Sequence, residues 1–184
     1  MESKRVLVAF SSPSGSTACA AELIASVLRS AGLPVDCRPA GDVDDLAGYG
    51  ALVLGSGVFV PRRASDGGGF LARQRAALRG IPVWLFSMGP IGDGGPRAEG
   101  AAGATPAEGR AAAVAQAIGA RDVATFGTLG MPDGEDPVAS LHPADTHEIR
   151  AWAAAIAETL KPGDSSAHRP QHRGHGSHGV SLAS

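Results

Sequence analysis

The most constraining feature of the sequence is a short apolar run near its start, Val6–Phe10, which small and turn-forming residues follow at once. A continuous apolar run of this length, bounded by turn residues, is typical of a strand that is buried on both faces in a parallel sheet. An Ala-rich segment from Ser16 or Thr17 to Ala31 comes next, and its apolar residues are spaced by three and four. This spacing predicts an amphipathic helix, which Gly32 then ends.

The same alternation of strand-like runs and helical patterns recurs along the chain, at intervals of roughly 25 to 40 residues. The predicted strands are Val6–Phe10, Val35–Arg38, Ala51–Leu54, Ile81–Phe86 and Asp122–Phe126. The later predicted helical segments are a turn at Asp42–Leu46, then Phe70–Leu78, Thr105–Ile118 and a last helix from Asp145 or Thr146 to Leu160. Alternating strands and helices with right-handed crossovers predict a three-layer α/β sandwich around a five-stranded parallel sheet in the order 2-1-3-4-5.

The composition predicts one folded domain over residues 1–162 and a tail over 163–184. The chain has 184 residues and is 43% apolar, so it can bury a full core. The tail is rich in Ser, Gly, His and Arg and almost devoid of apolar residues, which is typical of a disordered segment. Four of the six histidines lie in the tail, and a flexible tail forms no preorganised metal site.

Charge and hydropathy exclude several classes of protein. The net charge is −2, and the basic face that nucleic-acid binding requires is missing. No run approaches the length of a transmembrane helix, and the apolar run at Val6–Phe10 is too short for a secretory signal. We therefore expect a cytoplasmic protein. Its two cysteines, Cys19 and Cys37, lack metal-type spacing and are expected to be free thiols, although the sequence leaves a disulfide open.

Three segments rich in Gly, Ser and Pro follow the first, third and fourth predicted strands: Ser11–Thr17, Gly55–Arg63 and Ser87–Pro96. In doubly wound sheets, ligands bind beyond the carboxyl ends of the strands, where the strand order reverses. The loops at the opposite edge of the sheet are short. The sequence therefore predicts a ligand site at the carboxyl edge.

The first of these segments has the chemistry of an anion site. The hydroxyls of Ser12, Ser14, Ser16 and Thr17 surround Gly15 at the start of a helix, where N–H groups and the helix dipole favour a phosphate. The segment lacks the lysine of a Walker A loop and the spacing of a dinucleotide motif. It therefore suits a monophosphate, and the alternative is an ordinary capped turn.

The other two segments suit a flat ligand. In the second, Phe59 follows Gly55 and Gly57, which allow close backbone approach, and its ring could stack on a planar ligand. In the third, the backbone of Met88–Gly92 could meet the edge of the ring. The alternatives are that Phe59 caps the core and that the third segment is a plain connection. Trp84 and Trp152 are both expected in the core.

Together these segments resemble the flavodoxin-domain proteins of the menaquinone-dependent protoporphyrinogen oxidase type. The first match is a strand that runs into SSPSGST and a helix; the others contain DLAGYGALVLGSGVF and PVWLFSMGPIGD. The resemblance covers most of residues 4–160. The matching stretches are Val6–Thr17, Asp45–Arg63, Ile81–Asp93 and, more weakly, Ala120–Gly127 and Glu148–Ile156.

The resemblance implies a flavodoxin-like fold with non-covalently bound FMN. It places the phosphate and the two sides of the isoalloxazine on residues of the three segments. The phosphate residues would be Ser12, Ser14, Gly15, Ser16 and Thr17; the ring residues would be Gly57, Val58, Phe59, Met88, Gly89, Pro90 and Gly92. In that family the flavin oxidises a porphyrinogen in heme synthesis and passes electrons to a quinone. No catalytic acid or base is implied, because the cofactor carries the redox chemistry.

The sequence departs from the family in three places. Relatives often have Lys where Pro13 stands and Tyr where Phe59 stands. The segment Thr128–His142 is short, acidic and free of Lys and Arg, so it disfavours contact with an anionic membrane surface. The partner is expected to be a small redox substrate or an electron-transfer protein. The alternatives are a flavin-free binding or regulatory module, and an FMN electron carrier or quinone reductase.

Overall fold

The computed structural model describes residues 5–11, 15–55, 68–90, 106–128 and 143–161. These ranges contain one five-stranded sheet in the order β2-β1-β3-β4-β5, with parallel pairing throughout. The strands are β1 Arg5–Phe10, β2 Val35–Pro39, β3 Tyr49–Gly55, β4 Val83–Pro90 and β5 Asp122–Thr128. The helices are α1 Ser16–Ser30, α2 Gly68–Arg73, α3 Arg75–Leu78, α4 Pro106–Ile118 and α5 Pro143–Leu160. The predicted fold class and strand order are confirmed.

Successive residues of a strand point to opposite sides, so a continuously apolar strand makes both faces of the sheet apolar. Helices cover both of these faces. On one side, Val6 and Val8 of β1 lie in a core cluster with residues of α1 and α5. On the other side, Leu7 and Ala9 lie in a second cluster with residues of α2, α3 and α4. All four of these side chains are almost fully buried, as the continuous apolar run predicted.

Helix α1 follows the predicted pattern closely. Ala20, Ile24 and Leu28, which are spaced by four, are fully buried against the sheet. Gly32 follows the helix with φ +87°, a left-handed conformation that disfavours any residue with a Cβ. The amphipathic spacing and the terminal glycine therefore define this helix as the sequence analysis expected.

The helical turn predicted at Asp42–Leu46 is wrong. A 3₁₀ turn lies earlier, at Ala40–Asp42, and the chain from residue 43 to 46 is not helical. Asp45 Oδ1 accepts a hydrogen bond from the backbone N–H of Ala47 at 2.8 Å. Such a local side-chain bond to the backbone competes with helix formation.

The helix predicted at Phe70–Leu78 is divided into α2 and α3 at Gln74. The sequence also predicts one inner face with Phe70, Leu71, Gln74 and Leu78; Phe70, Gln74 and Leu78 are buried, and Leu71 is half-buried. The Nε2 group of Gln74 donates a hydrogen bond of 2.7 Å to the carbonyl oxygen of Asp44. This bond satisfies a buried amide and ties the helical segment to the chain before β3.

Strand β4 extends into the segment that was predicted as a loop. The predicted strand Ile81–Phe86 begins two residues too early and ends four too early, so Ser87, Met88, Gly89 and Pro90 are part of the strand. The reason is non-local pairing: β5 also continues to Thr128, and Pro90 lies opposite Thr128 in the register. The loop prediction for these four residues is wrong, and residues 91–96 lie outside the described residues.

Helix α5 begins at Pro143, earlier than the predicted cap at Asp145 or Thr146. Proline is well tolerated in the first turn of a helix, where its missing N–H has no intrahelical acceptor. Asp145 Oδ1 instead accepts a hydrogen bond of 3.0 Å from the backbone N–H of Gly127, near the end of β5. Helix α5 is thus tied to the carboxyl edge of the sheet.

Cys19 and Cys37 are free thiols, as expected. In the parts of the chain that the structure describes, no helix is long and apolar enough to cross a membrane. The predicted tail at 163–184 and most of the acidic segment Thr128–His142 lie outside the described residues.

Candidate functional site

The structure describes part of the predicted cofactor site. The described residues are Gly15, Ser16 and Thr17 for the phosphate and Met88, Gly89 and Pro90 for the ring. Ser12, Ser14, Gly57, Val58, Phe59 and Gly92 lie outside the described residues. The described ones lie at the carboxyl edge of the sheet, since α1 follows β1 and Met88–Pro90 end β4.

The N-terminus of α1 has the properties of an anion site. Gly15 precedes the helix with φ +85°, and its carbonyl accepts the first helical hydrogen bond from the N–H of Cys19 at 3.0 Å. The N–H groups of the first turn have no acceptor within the helix. No acidic side chain lies in this turn, so the positive end of the helix dipole is not neutralised there. An anion placed at this end would be stabilised by both effects.

Ser16 and Thr17 are the predicted phosphate residues whose side chains the structure describes. They are 8% and 6% exposed, although both are polar. Each hydroxyl can donate one hydrogen bond and accept others. The two hydroxyls are thus neutral groups beside the N-terminus of α1, and their role in holding a phosphate stays a prediction.

Gly55, the last residue of β3, lets three elements meet at this point. A Cβ added to Gly55 would lie 2.8 Å from Thr17 Cγ2, 2.9 Å from Phe86 Cζ and 3.2 Å from Phe10 Cβ. The first two distances are shorter than real Cβ contacts, so only glycine fits without displacing its neighbours. The ends of β1, β3 and β4 thus converge beside the first turn of α1. The sequence predicted that Gly55 and Gly57 let a flat ligand approach closely; at Gly55 the structure shows the Thr17 methyl group as a close neighbour.

The end of β4 offers backbone groups to the same edge. Met88, Gly89 and Pro90 pair with Phe126, Gly127 and Thr128 of β5. On its other side, β4 pairs with β3 only as far as Phe86, opposite Gly55, among the residues that the structure describes. The side of Met88–Pro90 that faces β3 therefore lies beyond the last β3 pair. The segment predicted to meet the ring edge is therefore a strand and not a loop, and its contact with a ring stays a prediction.

Two hydrogen bonds that the sequence analysis missed brace this edge. Ser87 and Thr125 lie opposite each other, and their hydroxyl oxygens are 2.9 Å apart. The bond from Gly127 N–H to Asp145 holds the end of β5 against α5. Both pairs join residues far apart in sequence, so only the register of the strands could have revealed them.

The titratable groups with shifted pKa values lie away from this site. Asp36 of β2 accepts hydrogen bonds from the Tyr49 hydroxyl at 2.8 Å and from Arg5 Nη1 at 3.2 Å, and the Tyr49 bond is the main cause that lowers its pKa. Burial raises the pKa of the Cys37 thiol to about 12, with a further contribution from Glu22. At pH 7 this thiol is protonated and is a poor nucleophile.

No cluster of His, Cys, Asp and Glu that could hold a metal ion occurs among the residues that the structure describes. The described part of the site instead combines a helix N-terminus, two buried hydroxyls and a tightly packed glycine. These features suit the binding of a monophosphate by neutral donors.

The fold has similar solved structures, and several of them are flavodoxins. A flavodoxin from the domain Archaea matches with a TM-score of 0.59 and 18% identity, over 85% of this chain and 99% of that one. Two-electron reduced flavodoxin from Megasphaera elsdenii matches with a TM-score of 0.52 and 22% identity, over 82% and 98% of the two chains. Rubredoxin oxygen:oxidoreductase from Desulfovibrio gigas matches with a TM-score of 0.58 and 17% identity, over 86% of this chain and 36% of that one.

The class of protein is thus a flavodoxin-like α/β fold, with the strand order β2-β1-β3-β4-β5 and helices on both faces of the sheet. The family model of the flavodoxin domain matches residues 7–123, and the chain belongs to this family. A comparison with curated proteins gives no match. The predicted flavodoxin-domain membership is thus confirmed, while the protoporphyrinogen oxidase type stays a prediction.

Proposed function

We propose that the protein binds FMN non-covalently at the carboxyl edge of the sheet and transfers electrons through it. The observation that carries this proposal is the N-terminus of α1, which has no acid in its first turn, buries Ser16 and Thr17, and packs the Thr17 methyl group against Gly55. Membership of the flavodoxin-domain family supports FMN as the ligand. Flavodoxins among the structural neighbours add support of the same kind.

The described residues fit the phosphate of FMN. A phosphate ester needs several donors converging on its oxygens, and the first turn of α1 provides N–H groups and the Ser16 and Thr17 hydroxyls together. Because Gly55 packs against the Thr17 methyl group, Thr17 has little freedom to rotate away from this position. Ser12 and Ser14 complete the proposed phosphate site.

The end of β4 would bind the ring. The backbone of Met88–Pro90 extends beyond the last pair with β3 among the described residues, so it can hydrogen-bond to the heteroatom edge of a flavin. Met88 is half-buried and can cover part of the ring from water. Gly57, Val58 and Phe59 would cover the other side, and Gly92 would complete the ring edge.

Bound FMN supplies the chemistry of one- and two-electron transfer, so the protein needs no acid or base of its own. The chain contributes position, exclusion of water and control of the charge near the ring. The partner would be a small redox substrate or an electron-transfer protein. We keep the predicted cytoplasmic location in this proposal, because the free thiols Cys19 and Cys37 suit a reducing compartment.

The experiment that tests the proposal is a titration of the purified protein with FMN, followed by calorimetry and visible absorbance. We expect one FMN per chain, a dissociation constant of about 1 μM or lower, and flavin absorbance that dithionite bleaches and air restores. A colourless protein that also fails to bind added FMN would contradict the proposal. That result would favour the flavin-free binding or regulatory module.

The finer prediction, oxidation of a porphyrinogen in heme metabolism, rests on the sequence resemblance. Assays of the FMN-loaded protein with protoporphyrinogen, with a menaquinone analogue and with NAD(P)H separate the three remaining possibilities. Turnover of protoporphyrinogen with reduction of the quinone would support the oxidase. Reduction of the quinone by NAD(P)H, without turnover of protoporphyrinogen, would indicate a quinone reductase. If neither reaction occurs, the electron carrier is the remaining possibility.

A further inference from the structure

A cleft of about 390 Å³ opens at the amino edge of the sheet, at the opposite ends of β4 and β5 from the proposed FMN site. It lies between the first residues of these two strands and the last turns of α5. The side chains that line it and enter the argument are Trp84, Arg121, Asp122, Trp152 and Thr159. Its volume is in the range of small-molecule sites.

Two fixed indole rings form part of the wall. Trp84 of β4 is 4% exposed and lies opposite Asp122 in the strand register. Trp152 of α5 packs edge-on against Phe86, with ring centroids 6.4 Å apart, and against Phe126, with centroids 5.8 Å apart. Its indole N–H donates to Asp122 Oδ2 at 2.8 Å. Three contacts therefore hold Trp152, so the wall is already formed for a flat ligand.

Arg121 supplies a positive charge at the same place. Its guanidinium carbon lies 6.0 Å from the centroid of the Trp84 ring, and its backbone N–H donates to the Val83 carbonyl at 2.8 Å. The residue is exposed, and among the described residues no carboxylate pairs with its side chain. A planar guanidinium held against a ring can still offer two parallel N–H groups to a carboxylate.

Asp122 selects the kind of anion. Its Oδ1 accepts a bond from the N–H of Val123 at 2.8 Å, and its Oδ2 accepts the bond from Trp152. These bonds fix the carboxylate in the wall of the cleft that Arg121 also lines. A doubly charged phosphate would meet more repulsion from Asp122 than a singly charged carboxylate would. The Thr159 hydroxyl donates to the Ala155 carbonyl at 3.0 Å and can still accept a bond from a ligand.

We propose that this cleft binds a small aromatic carboxylate, with its ring along the tryptophan wall and its carboxylate on Arg121. The indole rings favour a flat aromatic body. The Arg121 guanidinium, which pairs with no carboxylate among the described residues, favours an anion, and Asp122 in the same wall favours a single negative charge. The site is separate from the proposed FMN site, and its occupation does not require flavin.

The chain provides its own probe for this site. It has two tryptophans, and both line the cleft, so both indole N–H signals in a ¹⁵N-correlated NMR spectrum report on it. The full chain is titrated with 2-naphthoate, with and without FMN. We expect saturable shifts of both signals, with the same affinity in either case. Shifts that stay linear in naphthoate, or that spare both indoles, would overturn the proposal.

Variants and analogues test the role of each charge. Arg121→Met should weaken naphthoate binding at least tenfold, whereas Arg75→Met, at an exposed arginine of α3, should leave it unchanged. In the unaltered chain, 2-naphthyl phosphate and neutral 2-naphthalenemethanol should bind less tightly than naphthoate. Asp122→Asn should narrow the preference for carboxylate over phosphate. Equal binding in Arg121→Met and the unaltered chain, or tighter binding of the phosphate, would contradict the proposal.

Discussion

The two proposed binding sites lie at opposite edges of one sheet, and they are built from different kinds of chemical group. At the carboxyl edge, the proposed donors are neutral: the N–H groups at a helix N-terminus and the buried Ser16 and Thr17. Beside them lies a glycine that is packed too tightly to accept a side chain without displacing its neighbours. At the amino edge, the cleft is lined by charged side chains and indole rings, among them Arg121 and Trp152. The proposed phosphate site relies largely on backbone geometry, which the fold itself provides, with two hydroxyls beside it. The second proposed site depends on individual side chains.

A single residue, Phe86, contacts both regions. Its ring tip would lie 2.9 Å from a Cβ at Gly55, beside Thr17, and its centroid lies 6.4 Å from that of Trp152. The two regions are therefore packed on the same side of the sheet. We nevertheless expect separate binding behaviour, because neither site shares a binding group with the other. The changes below test that separation.

The largest effect is expected from Thr17→Asp. An acid in the first turn suits the helix dipole, which offsets part of the cost of a carboxylate at this buried position, and urea unfolding of the variant checks that the fold is kept. The new charge would, however, repel the FMN phosphate and weaken binding by about a hundredfold, or ~3 kcal/mol. Calorimetric titration with FMN measures this. Thr159→Asp brings the same charge to the amino edge and is the control; equal losses in the two variants would refute the assignment of the phosphate to α1.

Gly55→Ala should destabilise the fold and loosen the phosphate site together. The added methyl group would lie 2.8 Å from Thr17 Cγ2 and 2.9 Å from Phe86 Cζ, so these side chains must shift. We expect a loss of about 1–3 kcal/mol in the free energy of unfolding, measured with urea. Gly41→Ala is the matched control, because a Cβ there meets nothing within 4 Å. If both variants unfold at the same urea concentration, the packing argument is wrong.

Asp145→Ala should destabilise the end of β5. It removes the acceptor of the 3.0 Å bond from Gly127 N–H, which leaves a part-buried donor without that partner. The expected cost is about 1–2 kcal/mol in the free energy of unfolding. The exposed Glu148, one turn further along α5, gives the control Glu148→Ala, which should change stability by less than about 0.5 kcal/mol. Thermal unfolding measures the stability of both variants, and equal stability of Asp145→Ala and Glu148→Ala would contradict the role given to the Gly127–Asp145 bond.

The smallest effect is expected at the amino edge of β2 and β3. The Tyr49 hydroxyl lowers the pKa of Asp36 from its ordinary 3.8. A lowered folded-state pKa stabilises the fold above pH 3.8, and this contribution is lost as the pH falls through the folded-state value. Because Asp36 is half-buried and its ion-pair partner Arg5 is exposed, the gain is below about 1 kcal/mol.

Tyr49→Phe should therefore lower the free energy of unfolding slightly at neutral pH. It should also reduce the decrease of that free energy as the pH falls into the acid range. Urea unfolding of both proteins at several pH values measures this, and the two stabilities should converge toward low pH. FMN affinity should be unchanged, since the pair lies at the amino edge. A stability difference that grows as the pH falls would contradict the assignment.

The elements built from local patterns could be predicted from the sequence. The apolar run of β1 and the periodic face of α1 determine burial by themselves, and Ala20, Ile24 and Leu28 are buried as expected. The rhythm of strands and helices then leaves few sheet orders. By the same route the sequence predicts a ligand site at the carboxyl edge of the sheet.

What the sequence missed depends on contacts between distant segments. Ser87–Pro90 has loop-like composition, yet pairing with β5 keeps it in a strand. The role of Gly55 appears only when Thr17 and Phe86 are placed beside it. Trp84 and Trp152 were both expected in the core; Trp84 is buried there, but hydropathy alone does not distinguish a core indole from one that also lines a cleft.

The central claim is that the fold binds FMN by its phosphate at the N-terminus of α1. The most direct test compares FMN with riboflavin, which lacks the phosphate, in parallel calorimetric titrations of the unaltered protein. The account predicts one FMN per chain and an affinity at least about tenfold higher than for riboflavin, as charge-assisted bonds to the phosphate require. Equal affinities for the two flavins, or no binding of either, would contradict it.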